Sequence, residues 1–554
     1  MIETRMPAYI AIIFITGAVT LALELLASRI MTPYFGVSLY IWTGILSITL
    51  ISLAFGYFFG GRLAGRSAHH DDYAARLRRM FMSMPAISAI SLGAACLIYP
   101  WAFFKLANVS LVFGSFIACI VLLFVPLVTL SALNPLLIAL RSLTGGVQKT
   151  AGDSGSGLVF FISTVGSVLG VWITAFLFIP HLTNFTSVLL LGIMLSLISF
   201  IGVLTLLQQG GRPKIQIIAL SITALALCGG VLAGSSALLN KEGEIVAHGT
   251  VWRLEKEYMS LFGNTKIITM GRAARPGSGR VDSPPDPLVI YFQDGTYQNV
   301  TDRAGTSQAI FTYALEGLAM GFLNAGDHAL VLGLGAGVVP KRLASHGVEV
   351  DVVEINPSSF RIAAEFAGFD GERITAIQQD ARSFVRHCPR RYPVIVVDLF
   401  NGDGTPEYLL TENFFADVNR CLLPNGAVVM NALTIPRYFE SSYHMFKTLR
   451  SVFRHLLVFH DDFSDTERPV NLFLVSTNRD PFDRVKVVLR DVPRHLHRQL
   501  ARVFSGARPL DDALLARATV IRDEFNIFPV LNQDLLMAYR RTMLSIIPPP
   551  YLVN

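Results

Sequence analysis

Two stretches of the chain, HALVLGLGAG at residues 328–337 and VEVDVVEINP at residues 348–357, decide the fold of its second half. Each is a short apolar run of the kind found in strands that are buried on both faces. Three similar runs follow, with helical stretches between them: ITAIQQDA at 374–381, PVIVVDLF at 393–400 and GAVVMNAL at 426–433. This alternation predicts a parallel sheet with crossover helices, that is, an α/β Rossmann-like domain.

The glycines after the first strand are the first part of a candidate ligand site. Ligands of open parallel sheets bind outside the carboxyl ends of the strands. Gly333, Gly335 and Gly337 lie at such an end, where the missing side chains let the backbone approach a ligand closely. Helix packing alone also explains such a turn, but it does not explain two acids that follow the neighbouring strands.

Those acids, Glu354 and Asp380, end the second and third strands at the same edge of the predicted sheet. Glu354 lies about 20 residues after the glycines, where an acid accepts hydrogen bonds from both hydroxyls of a ribose. Asp380, followed by Ala381, is placed to meet an adenine amino group. Together they predict an adenosyl site and a domain of the S-adenosylmethionine-dependent transferase type. NAD fits less well, because the turn reads G-x-G-x-G and no second mononucleotide half follows.

Asp398 ends the fourth strand, beside the predicted ligand. A carboxylate in that position can take a proton from an incoming amine and so act as a general base. The alternative interpretation is structural, because an Asp at the end of a strand often caps the next helix or turn.

The first part of the chain has the composition of a membrane domain. Hydrophobic residues make up 52% of the whole chain and charged residues only 16%, and a helix needs about 20 apolar residues to cross a bilayer. Seven stretches are long enough: 7–26, 40–60, 85–104, 109–130, 157–178, 186–206 and 215–238. They predict an α-helical transmembrane bundle, multi-pass in the cell (inner) membrane, with the lipid bilayer as partner.

The positions of the basic residues bear on which side of the membrane the soluble part faces. Arg62, Arg66, Arg76, Arg78 and Arg79 cluster between the second and third runs, which favours a cytoplasmic N-terminus. Seven spans would then place the soluble part outside, although adenosyl sulfonium compounds are made in the cytosol. We predict a cytoplasmic soluble domain and a miscounted span at 109–140, where Pro126 and Pro135 break a long apolar run.

The expected organisation has four parts. A multi-pass transmembrane helical domain occupies residues 1–240, and a small antiparallel β module at 241–300 follows from short β-type runs around a loop at 271–287. The Rossmann-like adenosyl-binding catalytic domain occupies 301–480, and a C-terminal helical extension occupies 481–554.

Cysteine spacing and charge exclude several classes of function. The five cysteines include no C-x-x-C pair, so buried thiols are expected and neither a metal site nor a disulfide framework is predicted. The net charge of +6 comes with no basic tract interleaved with aromatics, so no nucleic-acid partner is predicted.

Six segments in order resemble the polyamine aminopropyltransferase (spermidine synthase) family, in its membrane-fused branch: YFQDGTYQ, VLGLGAG, VVEINP, QQDA, VVDLFNGDGTPEYLLTENFF and LLPNGAVVMN. The likeness covers about residues 250–478, and FITGAVTLALELLASRI with GYFFGGRLAGR looks like the membrane part of the same fused proteins. The resemblance implies transfer of a 3-aminopropyl group from decarboxylated S-adenosylmethionine to a small amine such as putrescine. It implies no permanently bound cofactor, and a homodimer is left open.

Four residues match functional positions of that family. The resemblance implies that Gln298 lines the donor site, that Glu354 holds the ribose and that Asp380 lies beside the adenine. It makes Asp398 the proton acceptor.

Other positions depart from the family pattern, chiefly where cationic amines should bind. Ala336 replaces the Asp of G-G-G-D-G, and the late Tyr that should contact the acceptor has no counterpart. Two further motifs, D-E-x-x-Y and D-S-x-D-P, are altered, and their positions read Arg303, Ala304, Ser307, Leu399, Phe400, Asn401 and Gly402. Only Asp398 remains at the amine end, with Asp403 as a partial substitute.

These losses leave alternatives open. The acceptor need not be putrescine, and the donor could be S-adenosylmethionine itself, used for methyl transfer or for an intramolecular elimination. A membrane transporter or sensor that binds an adenosyl ligand without turnover is a third hypothesis, although Glu24 is nearly alone as an ionisable residue inside the apolar runs.

Overall fold

The structure, a computed structural model, describes residues 6–37, 39–67, 72–143, 154–207, 212–239, 243–272, 287–366, 368–369, 372–400, 402–480 and 486–554. Most of the predicted loop at 271–287 lies outside these residues, as does Asn401. The chain forms two compact units, Met1–Glu242 with Pro548–Asn554, and Gly243–Ile547. We call them the helical unit and the soluble unit.

Among its described residues, the helical unit contains seven helices that are long and apolar enough to cross a membrane. They are α1 Met6–Phe35, α2 Tyr40–Ser67, α3 Tyr73–Val109, α4 Leu111–Ser142, α5 Ser156–His181, α6 Asn184–Leu206 and α7 Arg212–Ala233, and a short turn, Ser235–Leu238, follows. Several basic residues expected in a loop instead lie in helices, since Arg66 is in the last turn of α2 and Arg76 in α3. Their long side chains can reach the interface from a helix end.

The fourth helix contains Pro126 and Pro135 and still continues as one candidate span. A π-helical turn at Ile120–Phe124 immediately precedes Pro126, whose missing N–H cannot join the regular ladder. The chain then continues in helical form to Ser142. The structure therefore keeps seven candidate spans and gives no support to the expected miscount at 109–140.

Close helix packing in this unit depends on glycine. A Cβ atom at Gly166 would lie 2.1 Å from the carbonyl oxygen of Phe14, and one at Gly170 would lie 2.1 Å from that of Ala18. Both distances are far below van der Waals contact, so only glycine lets α5 approach α1 this closely.

The final residues of the chain pack in the helical unit. The N–H of Phe185 donates to the backbone oxygen of Asn554 at 2.9 Å, and Asn554 Nδ2 donates to the backbone oxygen of Arg29 at 2.8 Å. The predicted extension at 481–554 is therefore divided, because its residues up to Ile547 belong to the soluble unit.

The soluble unit begins with the predicted antiparallel β module. Its five strands pair in chain order: β1 Ile245–Ala247, β2 Thr250–Ser260, β3 Gly263–Arg272, β4 Leu288–Gln293 and β5 Thr296–Thr301. The β4–β5 hairpin closes through Asp294 and Gly295, both at positive φ, as a tight two-residue turn requires.

The Rossmann-like domain is built on a sheet of seven strands. They are β6 His328–Leu332, β7 Glu349–Glu354, β8 Ile374–Gln378, β9 Tyr392–Val397, β10 Leu422–Thr434, β11 His455–His460 and β12 Val470–Thr477. The order across the sheet is β11-β12-β10-β9-β6-β7-β8. The five predicted strands, β6 to β10, are parallel as expected, while β12 runs antiparallel to both of its neighbours.

Helices cover both faces of this sheet. The helices of the soluble unit are α8 Ile310–Ala319, α9 Val338–Ser345, α10 Pro357–Phe366, α11 Ala381–Arg386, α12 Glu412–Arg420, α13 Ser442–Val452, α14 His497–Val503, α15 Asp512–Arg517, α16 Phe528–Leu531 and α17 Gln533–Ile546. Strand β6 shows why its sequence is apolar throughout, since Leu330 and Leu332 pack in one core while Ala329 and Val331 pack in the other. A strand buried on both faces cannot alternate with polar residues.

The strand order places a topological switch at the centre of the sheet. From β6 the chain proceeds outward through β7 and β8, then returns to β9 on the other side of β6. The crossovers after β6 and β9 therefore leave in opposite directions and open a crevice at the carboxyl ends of these strands. Gly333 and Asp398 both lie at that crevice.

One expectation about cysteines is wrong. Cys388 and Cys421 form a disulfide, with Cα atoms 5.8 Å apart across 33 residues of sequence, whereas the sequence predicted only buried thiols. The pair joins the segment after α11 to the residue before β10, and the parallel pairing of β9 with β10 helps to bring these segments together. Cys96, Cys119 and Cys228 are free and buried, as expected.

Candidate active site

A cavity of about 340 Å³ opens at the carboxyl ends of β6, β7 and β9. It is lined by seven of the eight predicted site residues: Gln298, Gly333, Gly335, Glu354, Asp380, Ala381 and Asp398. That these residues contact a ligand stays a prediction, but the fold brings them to one place from five separate segments of the chain.

The two outer glycines of the turn after β6 have different surroundings. Gly333 has φ +96°, and a Cβ there would lie 2.2 Å from the backbone oxygen of Asp398, so the end of β9 can approach only a glycine. Gly337 does not line the cavity, and a Cβ on it would lie 2.7 Å from the Cβ of Ala363 on α10. Its position at the start of α9 favours a packing role, whereas the sequence assigned it to the ligand.

Glu354 ties the glycine turn to the end of β7. Its Oε2 accepts a hydrogen bond from the N–H of Leu334 at 3.0 Å, and its Oε1 accepts one from the N–H of Asn356 at 2.7 Å. Burial raises the pKa of the carboxyl, and the backbone N–H groups partly offset that effect because they stabilise the ionised form. A carboxylate oxygen has more than one acceptor site, so this group can also receive hydroxyls from the cavity.

Asp380 has a structural role as well as a place at the cavity. Its Oδ1 accepts from the N–H of Ser383 and caps α11, and its Oδ2 accepts from the hydroxyl of Tyr408 at 3.3 Å. Asp380, Ala381 and Tyr408 all line the same part of the cavity. The capping interaction holds the carboxylate at the cavity wall in one orientation.

Asp398 lies at the switch point, at the end of a relay of amides. Its Oδ1 accepts from Asn431 Nδ2 at 2.9 Å, and Asn431 Oδ1 accepts from Asn471 Nδ2 at 2.9 Å. Burial raises the pKa of Asp398 to about 6, and the hydrogen bond from Asn431 works against that rise. The carboxylate is therefore ionised at neutral pH but more basic than an ordinary Asp, as a proton acceptor needs to be.

The cavity contains further polar residues that the sequence did not reveal. Asn431 and Asn471 extend from β10 and β12, while Tyr297 and Tyr539 line the cavity from β5 and α17. An Asn inside the apolar run GAVVMNAL was a usable signal, because a buried amide needs a partner. Tyr539 carried no such signal, since it lies far along the chain from every other site residue.

Asp403, the expected partial substitute for the lost acid, is paired with an arginine outside the cavity lining. Its carboxylate forms an ion pair with Arg540 Nη2 at 2.6 Å, and both side chains are buried. Gly402 and Tyr539 line the cavity, but Asp403 and Arg540 do not. The sequence-based assignment of Asp403 to the amine is therefore wrong, because a guanidinium from α17 neutralises it.

Ala336 lies in apolar surroundings. It is buried in a small cluster with Ile267, Tyr291, Val338 and Ile362. A charged group of a ligand would find no anionic partner on these side chains.

A seven-stranded sheet with a switch-point crevice, a glycine turn and acids at three successive strand ends defines a Rossmann-like domain of the S-adenosylmethionine-dependent transferase type. Residues 309–459 match the family model described as the spermine/spermidine synthase domain.

Named relatives are similar over shorter stretches. An N-terminal histidine N-methyltransferase of Emericella nidulans is 35% identical over 144 residues, which is 25% of each chain. A polyamine aminopropyltransferase of Vibrio vulnificus is 32% identical over 133 residues, 23% of this chain and 44% of the relative. The chain thus spans less than half the length of both relatives. A crystal structure of a probable spermidine synthase from Corynebacterium glutamicum aligns with 48% of this chain and 96% of its own, at 18% identity and a TM-score of 0.38.

Proposed function

We propose that the protein is a membrane-bound aminopropyltransferase that moves a 3-aminopropyl group from decarboxylated S-adenosylmethionine to a small amine. The observation that carries this proposal is Asp398, an ionisable carboxylate with a raised pKa at the switch point of the cavity. The family match at residues 309–459 supports the same chemistry, and it includes Asp398.

In this proposal the adenosine part of the donor lies along the strand ends. Glu354 accepts hydrogen bonds from the ribose hydroxyls while its other lone pairs hold the glycine turn. Asp380 lies beside the adenine amino group, with Ala381 and Tyr408 against the ring, and Gln298 lines the cavity from the β module.

The proposed reaction is a direct displacement. The amine nitrogen attacks the methylene carbon bonded to the sulfonium, the C–N bond forms, and the C–S bond breaks with its electron pair going to sulfur. The products are the alkylated amine and neutral methylthioadenosine, and the proton released from nitrogen passes to Asp398. Asn431 stabilises the ionised carboxylate before the proton arrives.

The test uses purified full-length protein with decarboxylated S-adenosylmethionine and a panel of small amines. Methylthioadenosine and an aminopropylated amine are the expected products, and Asp398→Asn should not form them. Absence of both products with every amine would overturn the proposal.

A second candidate function keeps the adenosyl site and changes the donor. Ala336 lies in an apolar cluster that offers no carboxylate to the ammonium of a 3-aminopropyl group, which favours S-adenosylmethionine in methyl transfer or in an intramolecular elimination. With this donor, S-adenosylhomocysteine would indicate methyl transfer, and methylthioadenosine formed without any amine would indicate elimination.

The cell (inner) membrane is the proposed location, with the soluble unit on the cytoplasmic side because its donor is made in the cytosol. Three features favour the opposite side: seven candidate spans, the basic residues near the N-terminal helices, and the disulfide Cys388–Cys421, a bond that persists mainly outside the cytosol. A reporter that fluoresces only in the cytosol, fused after Asn554, tests this part of the proposal. Signal from a matched periplasmic reporter alone would refute it.

A further inference from the structure

The amine end of the cavity carries little negative charge. Three carboxylates line the cavity, and among its described lining residues there is no Lys, Arg or His. Glu354 bonds to the glycine turn, and Asp380 caps α11. Asp398 is the one carboxylate that remains for an amine.

Neutral groups surround Asp398 at this end. Its partner Asn431 and the next residue of the relay, Asn471, are uncharged amides. Two tyrosines, Tyr297 and Tyr539, also line the cavity, and burial raises the pKa of both, so they are neutral phenols at physiological pH. The lining residues can therefore hold one ammonium group of a ligand at Asp398 and an uncharged alkyl or aromatic part of it against the tyrosine rings.

The ion pair between Asp403 and Arg540 neutralises the negative charge that Asp403 would otherwise contribute near the cavity. Arg540, whose side chain is 1% exposed, holds Asp403 at 2.6 Å and also donates from Nη1 to the backbone oxygen of Asp294 at 3.0 Å. The pair is neutral as a unit. Without the guanidinium, the carboxylate of Asp403 would contribute negative charge next to Gly402 and Tyr539, where a second ammonium of a ligand could use it.

We propose that the acceptor carries a single amino group, which binds at Asp398, and that the Asp403–Arg540 pair makes the site select against diamines. This inference rests on the proposed aminopropyl transfer. The donor already brings the ammonium of its 3-aminopropyl group into the cavity, so a diamine would add a further charge among neutral amides and phenols, and a buried charge without a counter-ion is strongly disfavoured. A monoamine with an alkyl or aromatic body meets no such cost.

The experiment compares two acceptors of equal chain length. Rates of methylthioadenosine formation from decarboxylated S-adenosylmethionine are measured with butylamine and with putrescine, which differ only in the second amino group. We expect kcat/KM to be at least about tenfold higher for butylamine, in line with the loss of a buried charged contact.

A gain-of-charge variant makes the test independent of that single ratio. Asn471→Asp places a second carboxylate at the cavity wall, and we expect it to shift the kcat/KM ratio toward putrescine by at least about tenfold. Asn478→Asp is the matched control, because Asn478 lies outside the cavity and bonds to Asn419. This control should leave the ratio unchanged.

The outcomes separate the two proposals. If wild-type protein prefers putrescine, or if Asn471→Asp shifts the ratio no more than Asn478→Asp does, the single-amine inference is refuted and aminopropyl transfer stands. If neither amine yields methylthioadenosine in any variant, aminopropyl transfer itself is refuted.

Discussion

Replacing Glu354 with alanine is the sharpest test of the proposed adenosine end. In the structure the carboxylate accepts from the N–H groups of Leu334 and Asn356 at 3.0 and 2.7 Å, and in the proposal it also accepts from two ribose hydroxyls. A hydrogen bond to a charged group contributes about 1.5–3 kcal/mol, and water replaces part of it, so we expect a loss of about 2–4 kcal/mol for the ligand. That loss corresponds to about 30- to 700-fold weaker binding of methylthioadenosine.

The assay is isothermal titration calorimetry on detergent-solubilised full-length protein with methylthioadenosine. Glu349→Ala is the matched control, because Glu349 lies on the same strand and forms an exposed ion pair with Arg373, a type of pair that contributes about 0–1 kcal/mol to stability. Its affinity should stay near that of wild type. If Glu354→Ala binds within about threefold of wild type, the adenosyl assignment and the charged-contact argument behind it are both refuted.

Three further substitutions test the rest of the site. Asp398→Asn should lower kcat by about 100-fold or more while the affinity for methylthioadenosine changes little, because an amide keeps the shape but cannot take a proton. Initial rates measure the turnover and calorimetry measures the affinity. Retained turnover would mean that Asp398 is structural. The activity of the wild type should fall as the pH drops through about 6, since only the ionised carboxylate is a base. Asn431→Ala should move that limb of the kcat/KM profile to higher pH, because it removes the donor that favours ionisation, and an unmoved limb would assign the titration to another group. In chemical denaturation, Gly333→Ala should lower the free energy of unfolding by about 1–3 kcal/mol more than Gly326→Ala does. Both glycines have positive φ, but only Gly333 has a close neighbour. Equal losses of unfolding free energy would mean that the clash with the backbone of Asp398 is relieved.

The parts of the fold that local patterns determine were predicted correctly. Strands β6 to β10 are apolar runs because both sides of each strand are covered by helices, and that pattern can be read directly. Strands β11 and β12 were missed, although HLLVFH and VNLFLVST are also apolar. Their antiparallel placement at the sheet edge depends on pairing partners and not on their own composition.

Topology explains why some of the predicted site residues come together and why Asp403 does not join them. The glycine turn, Glu354 and Asp380 each follow a strand at a fixed offset, so the topology alone brings them together. Asp403 looked like a free acid in sequence, because its partner Arg540 lies on a helix more than 130 residues further along the chain. A pairing over such a distance leaves no local pattern to read.

Only part of the proposed amine end lies within the family match. The family match runs from residue 309 to residue 459, so it includes Glu354, Asp380 and Asp398, which we propose to hold the donor and accept the proton. Four of the residues that we propose to determine the charge at the amine end, Tyr297, Asn471, Tyr539 and Arg540, lie outside the match. Similarity over residues 309–459 therefore bears on how a donor is held and says little about which amine is used. Comparing butylamine with putrescine probes the unmatched part of the site directly, and the preference of a relative for one amine cannot replace that measurement.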